Sequence, residues 1–102
     1  MPNEEERTRL AELRAGIDEV DNRIIDVLVE RFKLTREIGI LKRDAGFGPV
    51  DPKREHELYE RVRSRAVANT IDPETVEAMY RALMTHVVVE HEAIARGETP
   101  HF

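Results

Sequence analysis

The sequence predicts an all-α fold of three helices, the first of them very long. Apolar residues recur at alternating steps of three and four over Leu10–Leu41, which is the period of one amphipathic helix. Asp-Pro pairs at Asp51 and Asp72 are typical helix starts, because aspartate caps free backbone N–H groups and proline fits the first helical turn. No strand pattern competes, since the β-like run Val87–Val89 lies inside a helical period.

The first helix is expected to span residues 5–43. At 1.5 Å per residue it is roughly 55–60 Å long. A short chain of 102 residues cannot cover such a stripe by itself. We therefore expect a bundle shared with a second copy, an intertwined helical homodimer. The apolar seam consists of Leu10, Leu13, Ile17, Val20, Ile24, Val27, Leu34, Ile38 and Leu41.

The second and third helices are expected at residues 52–68 and 73–96. The segment from Asp44 to Val50 contains two glycines and a proline, so it predicts the turn that ends the first helix. Gly97 and Pro100 predict the end of the third. We interpret residues 1–102 as a single domain with short flexible tails.

Composition limits the possible functions. The chain has no cysteine, which excludes disulfides, zinc–thiolate sites and thiol nucleophiles. The net charge is −5, with 21 acidic and 16 basic residues, which argues against nucleic-acid binding. No apolar stretch reaches membrane-spanning length and the start is acidic, so we expect no membrane contact and a cytoplasmic protein. Anion binding, if present, must be local.

A cation interrupts the apolar seam. Arg31 occupies a seam position, and Arg14 and Lys42 lie at the seam's edges. Burial of an unpaired charge is costly. These cations therefore predict either an anionic ligand or ion pairs with acidic side chains of the protein itself. Arg14 and Lys42 are 28 residues apart, about 42 Å along one helix, so one chain cannot bring both to a small ligand. If all three cations serve one site, Arg14 comes from an antiparallel second copy.

Other polar residues share inner helix faces, namely Arg54 and Glu55 on the second helix and His91 on the third. Each of them alone has an ordinary structural explanation, and only the joint pattern points to a site. The pairs His56–Glu60 and His86–Glu90 have helical spacing but no third ligand, so no metal is predicted. The single serine is in a polar segment and no glycine-rich phosphate loop is present, so we expect neither a nucleophile nor a cofactor.

Several stretches together resemble the small all-helical chorismate mutases of the intertwined-dimer type. The resemblance covers about residues 8 to 95. Any one stretch is weak, but the order Arg, Arg, Lys on the first helix and Arg-Glu at the start of the second is specific. The matching stretches are Leu13–Asp18 with Val20–Asp21, Glu30–Arg31, Ile38–Lys42 and Pro49–Glu55.

The resemblance implies an isomerase that rearranges chorismate to prephenate in aromatic amino-acid biosynthesis. It implies that Arg31, with Arg14 from the neighbouring subunit, grips the two carboxylates of chorismate. Lys42 would donate to the ether oxygen of the breaking bond and to a carboxylate. This intramolecular reaction needs a folded substrate and positive charge at that oxygen, and it needs no cofactor.

The second and third helices complete the implied site. Arg54 would extend the cationic wall, and Glu55 with the backbone near Asp51 would hold the ring hydroxyl. Two positions depart from the family pattern: many relatives have serine where Val87 falls and glutamine where His91 falls. The valine removes a hydroxyl donor. We hypothesise that His91 is the second donor at the ether oxygen.

Three alternatives stay open. The first is a mutase acting on 4-amino-4-deoxychorismate, since Glu55 can bind an ammonium as well as a hydroxyl. The second is an isochorismate pyruvate lyase, against which Glu55 argues because those relatives lack a carboxylate there. The third is a non-catalytic dimerisation scaffold, which would neutralise Arg31 and Lys42 with its own acids. The sequence does not identify an activating partner protein.

Overall fold

The three predicted helices are all present in the structure, a computed structural model that describes residues 1–48 and 50–98. Helix α1 spans Glu4–Ala45, α2 spans Pro52–Ala68 and α3 spans Pro73–Ala95. The all-α prediction with a very long first helix is therefore confirmed. The predicted bounds differ from these by at most two residues. The prolines expected to stop helices, Pro49 and Pro100, lie outside the described residues.

The chain divides into two units, Met1–Leu34 and Thr35–Phe102. The first unit is a helical segment without a second helix of its own. Its apolar seam residues are 43% to 59% exposed, far more than core residues of their type. The surface at Gly16 is open too, because a Cβ added there would meet no other described side chain within 4 Å. These seam residues are Leu10, Leu13, Ile17, Val20, Ile24 and Val27.

The second unit contains the hydrophobic core. The sequence places the inner face of α2 on Leu58, Tyr59 and Val62, and all three are buried. From α3, Val87 and Ile94 join them. Full burial of one such aliphatic side chain contributes about 1.5–3 kcal/mol, so the α2–α3 pair stabilises this unit by apolar contact. The helical period of the sequence also places Met79 on the inner face of α3, but this residue is exposed.

The ends of the helices follow the local chemistry of their residues. Oδ1 of Asp72 accepts the backbone N–H of Glu74, and the carboxylate also accepts the hydroxyl of Thr75 at 2.7 Å. Gly46 and Gly97 follow α1 and α3 with φ of 78° and 80°, the left-handed conformation that glycine adopts without a steric penalty. Across the described part of the chain, none of the helices is both long and apolar enough to cross a bilayer.

Candidate functional site

The start of α2 fixes the backbone of the Arg54–Glu55 pair. Asp51 has an extended backbone with φ −128° and ψ 90°, and its Oδ1 accepts the N–H of Arg54 at 3.2 Å. Its carbonyl accepts the N–H of Glu55 at 3.1 Å. Pro52, which has no N–H to satisfy, occupies the first turn. The cap therefore fixes the backbone from which the side chains of Arg54 and Glu55 extend.

Glu55 also makes a side-chain contact one turn further along α2. The hydroxyl of Tyr59 donates to Oε1 of Glu55 at 3.2 Å. Tyr59 is buried, whereas Glu55 is only half-buried. Burial of the ring is the main cause that raises the pKa of Tyr59, and the negative charge of Glu55 raises it further. The hydroxyl therefore keeps its proton through neutral pH and stays a donor to Glu55.

His91 contacts the last turns of α1. Its Nε2 lies 2.6 Å from the carbonyl oxygen of Thr35, and only 5% of the residue is exposed. A carbonyl can only accept, so Nε2 carries the hydrogen and the neutral ring has its lone pair on Nδ1. The contact depends on Gly39, because a Cβ there would lie 2.7 Å from Cδ2 of His91. The absence of a side chain at Gly39 thus allows the histidine ring to pack closely against α1.

Three of the cations predicted for the site differ from the ion-paired side chains that a scaffold requires. Among the described residues, Arg14, Lys42 and Arg54 have no ion pair with any carboxylate. Lys42 is half-buried, and Arg14 and Arg54 are exposed. Arg31 is half-buried, with one terminal nitrogen sheltered from solvent. The adjacent Arg43, by contrast, forms an ion pair, since its Nε lies 3.0 Å from Oδ1 of Asp44.

The predicted residues fall in both units. Six of them lie in Thr35–Phe102, and within the described part of that unit no hydrogen bond or ion pair joins the side chains of Lys42, Arg54 and His91 to one another. Val87 is buried in the core. A cavity lined in part by Arg61, Arg65 and Tyr80 contains none of the predicted site residues. The six are Lys42, Asp51, Arg54, Glu55, Val87 and His91; Arg14 and Arg31 lie in Met1–Leu34.

The two histidine–glutamate pairs on helix faces are local contacts. His56 and Glu60 are 3.1 Å apart on the surface of α2, and His86 and Glu90 are 3.5 Å apart on α3. Over residues 1–48 and 50–98, no group of three His, Cys, Asp or Glu side chains is arranged to hold a metal ion. These pairs therefore give no reason to include a metal in the site.

Sequence reasoning missed one contact of this region. Tyr59 is predicted only as an apolar inner-face residue, although its hydroxyl contacts Glu55. The signal was available, because Glu55 and Tyr59 are spaced i, i+4 on one helix. On α3 the helical period leaves the inner face open between Glu90 and His91. The structure buries both residues.

These features define a class: a small all-helical domain with a half-buried lysine at the end of a very long first helix and an arginine–glutamate pair in the first turn of the second. The model of the family "Chorismate mutase type II" matches residues 13–92. A chorismate mutase of Methanocaldococcus jannaschii is 32% identical over 78 residues, covering 76% of this chain and 79% of that protein. The chain belongs to the chorismate mutase type II family.

Two longer proteins match over the same extent of this chain. A bifunctional chorismate mutase/prephenate dehydratase of Aquifex aeolicus is 33% identical over 79 residues, which cover 74% of this chain and 22% of that protein. A T-protein of Enterobacter agglomerans is 33% identical over 75 residues, covering 74% of this chain and 20% of that protein. The chain therefore corresponds to about a fifth of each longer protein.

Proposed function

We propose that the chain converts chorismate into prephenate by clamping the two substrate carboxylates and placing positive charge at the ether oxygen. As a member of its family, the chain is a chorismate mutase, an isomerase of aromatic amino-acid biosynthesis. One C–O bond breaks as one C–C bond forms within the same molecule. The protein therefore has to fold the flexible arm over the ring and to stabilise the negative charge that grows on the ether oxygen.

The observation that carries the proposal is the state of Lys42. Its side chain is half-buried near the end of α1, and it forms no ion pair within the described parts of the chain. A half-buried ammonium without a protein counter-ion is available to a ligand oxygen. Arg43, the next residue, forms an ion pair with Asp44. Lys42 therefore differs from its neighbour in having no carboxylate partner among the described residues. This difference favours the enzyme over the scaffold alternative.

We assign the remaining roles as follows. Lys42 donates to the ether oxygen, where a donor acts mainly in the transition state. Arg31 holds one carboxylate with its planar guanidinium, which matches a carboxylate better than an ammonium does. Arg54 extends the positive wall. Glu55 accepts a hydrogen bond from the ring hydroxyl of the substrate, and the backbone near Asp51 helps to hold that hydroxyl.

The site is completed by a second copy of the chain, which contributes Arg14. Arg14 and Lys42 are 28 positions apart in the sequence of α1, and a helix of that length corresponds to about 42 Å. A ligand as small as chorismate cannot be reached by both from one chain. The exposed apolar seam of the first unit is the surface that a second copy would cover in an intertwined dimer.

We propose that His91 is the second donor at the ether oxygen. Nε2–H is given to the Thr35 carbonyl, so the neutral ring has only an acceptor left at Nδ1, while the imidazolium adds an Nδ1–H donor. We expect His91→Ala to lower kcat/KM, because the ether oxygen then loses a donor. The measurement is kcat/KM on chorismate for the wild type and for His91→Ala.

His56→Ala is the matched control for this experiment, because His56 is exposed on α2 and its ion pair among the described residues is with Glu60 on its own helix. That variant should keep the wild-type kcat/KM. An unimpaired His91→Ala enzyme would remove His91 from the chemistry.

The test of the proposed reaction is product identification. The protein is incubated separately with chorismate, 4-amino-4-deoxychorismate and isochorismate, and the products are identified by chromatography and mass spectrometry. We expect prephenate from chorismate as the fastest conversion. Faster turnover of 4-amino-4-deoxychorismate, or release of pyruvate from isochorismate, would show that the substrate is not chorismate. If none of the three compounds were converted, the result would favour the non-catalytic scaffold.

A further inference from the structure

We propose that Tyr59 is a positioning residue for the reaction, because its hydroxyl orients the Glu55 carboxylate that receives the substrate's ring hydroxyl. This inference rests on the proposed role of Glu55. The hydroxyl donates to Oε1 at 3.2 Å, which leaves Oε2 to accept from the substrate. A carboxylate on a flexible, half-buried side chain loses less freedom on binding when one oxygen is already held.

Tyr59 can do this because it is itself held in place. The ring is buried in the core of the second unit, and the guanidinium of Arg81 lies 4.3 Å from its centroid. Such a cation over a tyrosine face is an attractive contact. Since Tyr59 is on α2 and Arg81 is on α3, the ring is fixed from two helices.

Arg81 is in turn anchored by further charges. Its Nε lies 3.1 Å from Oε2 of Glu77, and Oε1 of Glu77 lies 3.4 Å from a terminal nitrogen of Arg63. The other terminal nitrogen of Arg63 lies 2.9 Å from Glu74. A set of alternating charges thus links α2 and α3 and ends at the Tyr59 ring. The hydrogen bond between the Tyr59 hydroxyl and Glu55 connects this series to the proposed substrate site.

The protonation of Tyr59 is consistent with a donor role. Burial and the neighbouring carboxylate both raise the pKa of the phenol, so deprotonation is displaced to higher pH than for an ordinary tyrosine. A proton retained through the neutral range keeps the hydroxyl a donor wherever the enzyme is assayed. Glu55, when ionised, can only accept, so the direction of the hydrogen bond is fixed.

The test is a double-mutant cycle of Tyr59→Phe and Glu55→Gln, with kcat and KM measured on chorismate. The phenylalanine keeps the ring, its burial and the contact with Arg81, so the thermal midpoint should change little. We expect kcat/KM to fall about tenfold, as loss of a hydrogen bond to a charged group implies. In the Glu55→Gln background the same substitution should have little further effect.

A second substrate separates positioning from a structural role. On a chorismate analogue that lacks the ring hydroxyl, wild type and Tyr59→Phe should have the same kcat/KM, because Glu55 then has nothing to accept. Equal losses on both substrates, or losses that add in the double mutant, would overturn the inference. A wild type that does not convert chorismate at all would instead refute the proposed function, so the two failures are distinguishable.

Discussion

Lys42→Ala is expected to lower kcat by about a hundredfold or more, the effect of removing one donor at a developing negative charge. The loss falls on kcat because the ether oxygen becomes most negative in the transition state, where the donor contributes most. The substitution should not damage the fold. Lys42 forms no ion pair in the described residues, so its removal leaves no carboxylate without its counter-ion.

The measurement is steady-state kinetics beside circular dichroism and thermal unfolding. Arg43→Ala is the matched control, since it removes a cation at the next position of the same helix, one that is paired with Asp44 at 3.0 Å. That control should retain turnover within a few-fold of wild type. A Lys42→Ala enzyme with wild-type-like rates would contradict the assignment of this residue to the ether oxygen.

Arg31→Ala is expected to lower kcat/KM by at least about a hundredfold, because a carboxylate clamp loses its charge and its paired donors. Unlike loss of the ether-oxygen donor, this loss should appear in KM as well as kcat, since the carboxylate is charged in the ground state too. Alanine is the strongest helix former, so α1 should keep its helicity at this position.

Two companions make the Arg31 result interpretable. Arg31→Lys keeps the charge but not the planar fork, so it should recover only part of the activity. Arg23→Ala removes an exposed cation from α1 outside the apolar seam, and it should be close to wild type. Wild-type kinetics for Arg31→Ala, with chorismate still converted, would show that the seam arginine has a structural role only.

The sequence predicted the helices well because their signals are local. The apolar period defines α1, and the Asp-Pro pairs define the starts of α2 and α3 to the residue. The two aspartates cap backbone N–H groups as expected, at Arg54 and Glu74. Such contacts involve residues two or three positions apart, so a one-dimensional pattern contains them.

The site was predicted less completely because its contacts join distant segments. The ring of His91 packs against Gly39, which precedes it by 52 positions. The same ring contacts the carbonyl of Thr35, which precedes it by 56 positions. No periodicity records such pairs. The same holds for Tyr59 and Arg81, which lie on different helices. The family resemblance supplied the roles of Arg31 and Lys42, which spacing alone left open between a ligand and a protein partner.

The central claim is that one catalytic site takes Arg14 from one chain and Lys42 from another. It is tested most directly by co-expressing an Arg14→Ala chain and a Lys42→Ala chain with different tags and purifying the heterodimer. One of its two sites then has both native residues and the other has neither, so we expect about half the wild-type activity while both parent homodimers are nearly inactive. A heterodimer as inactive as its parents would contradict the claim, because it would place both residues in a site built by a single chain.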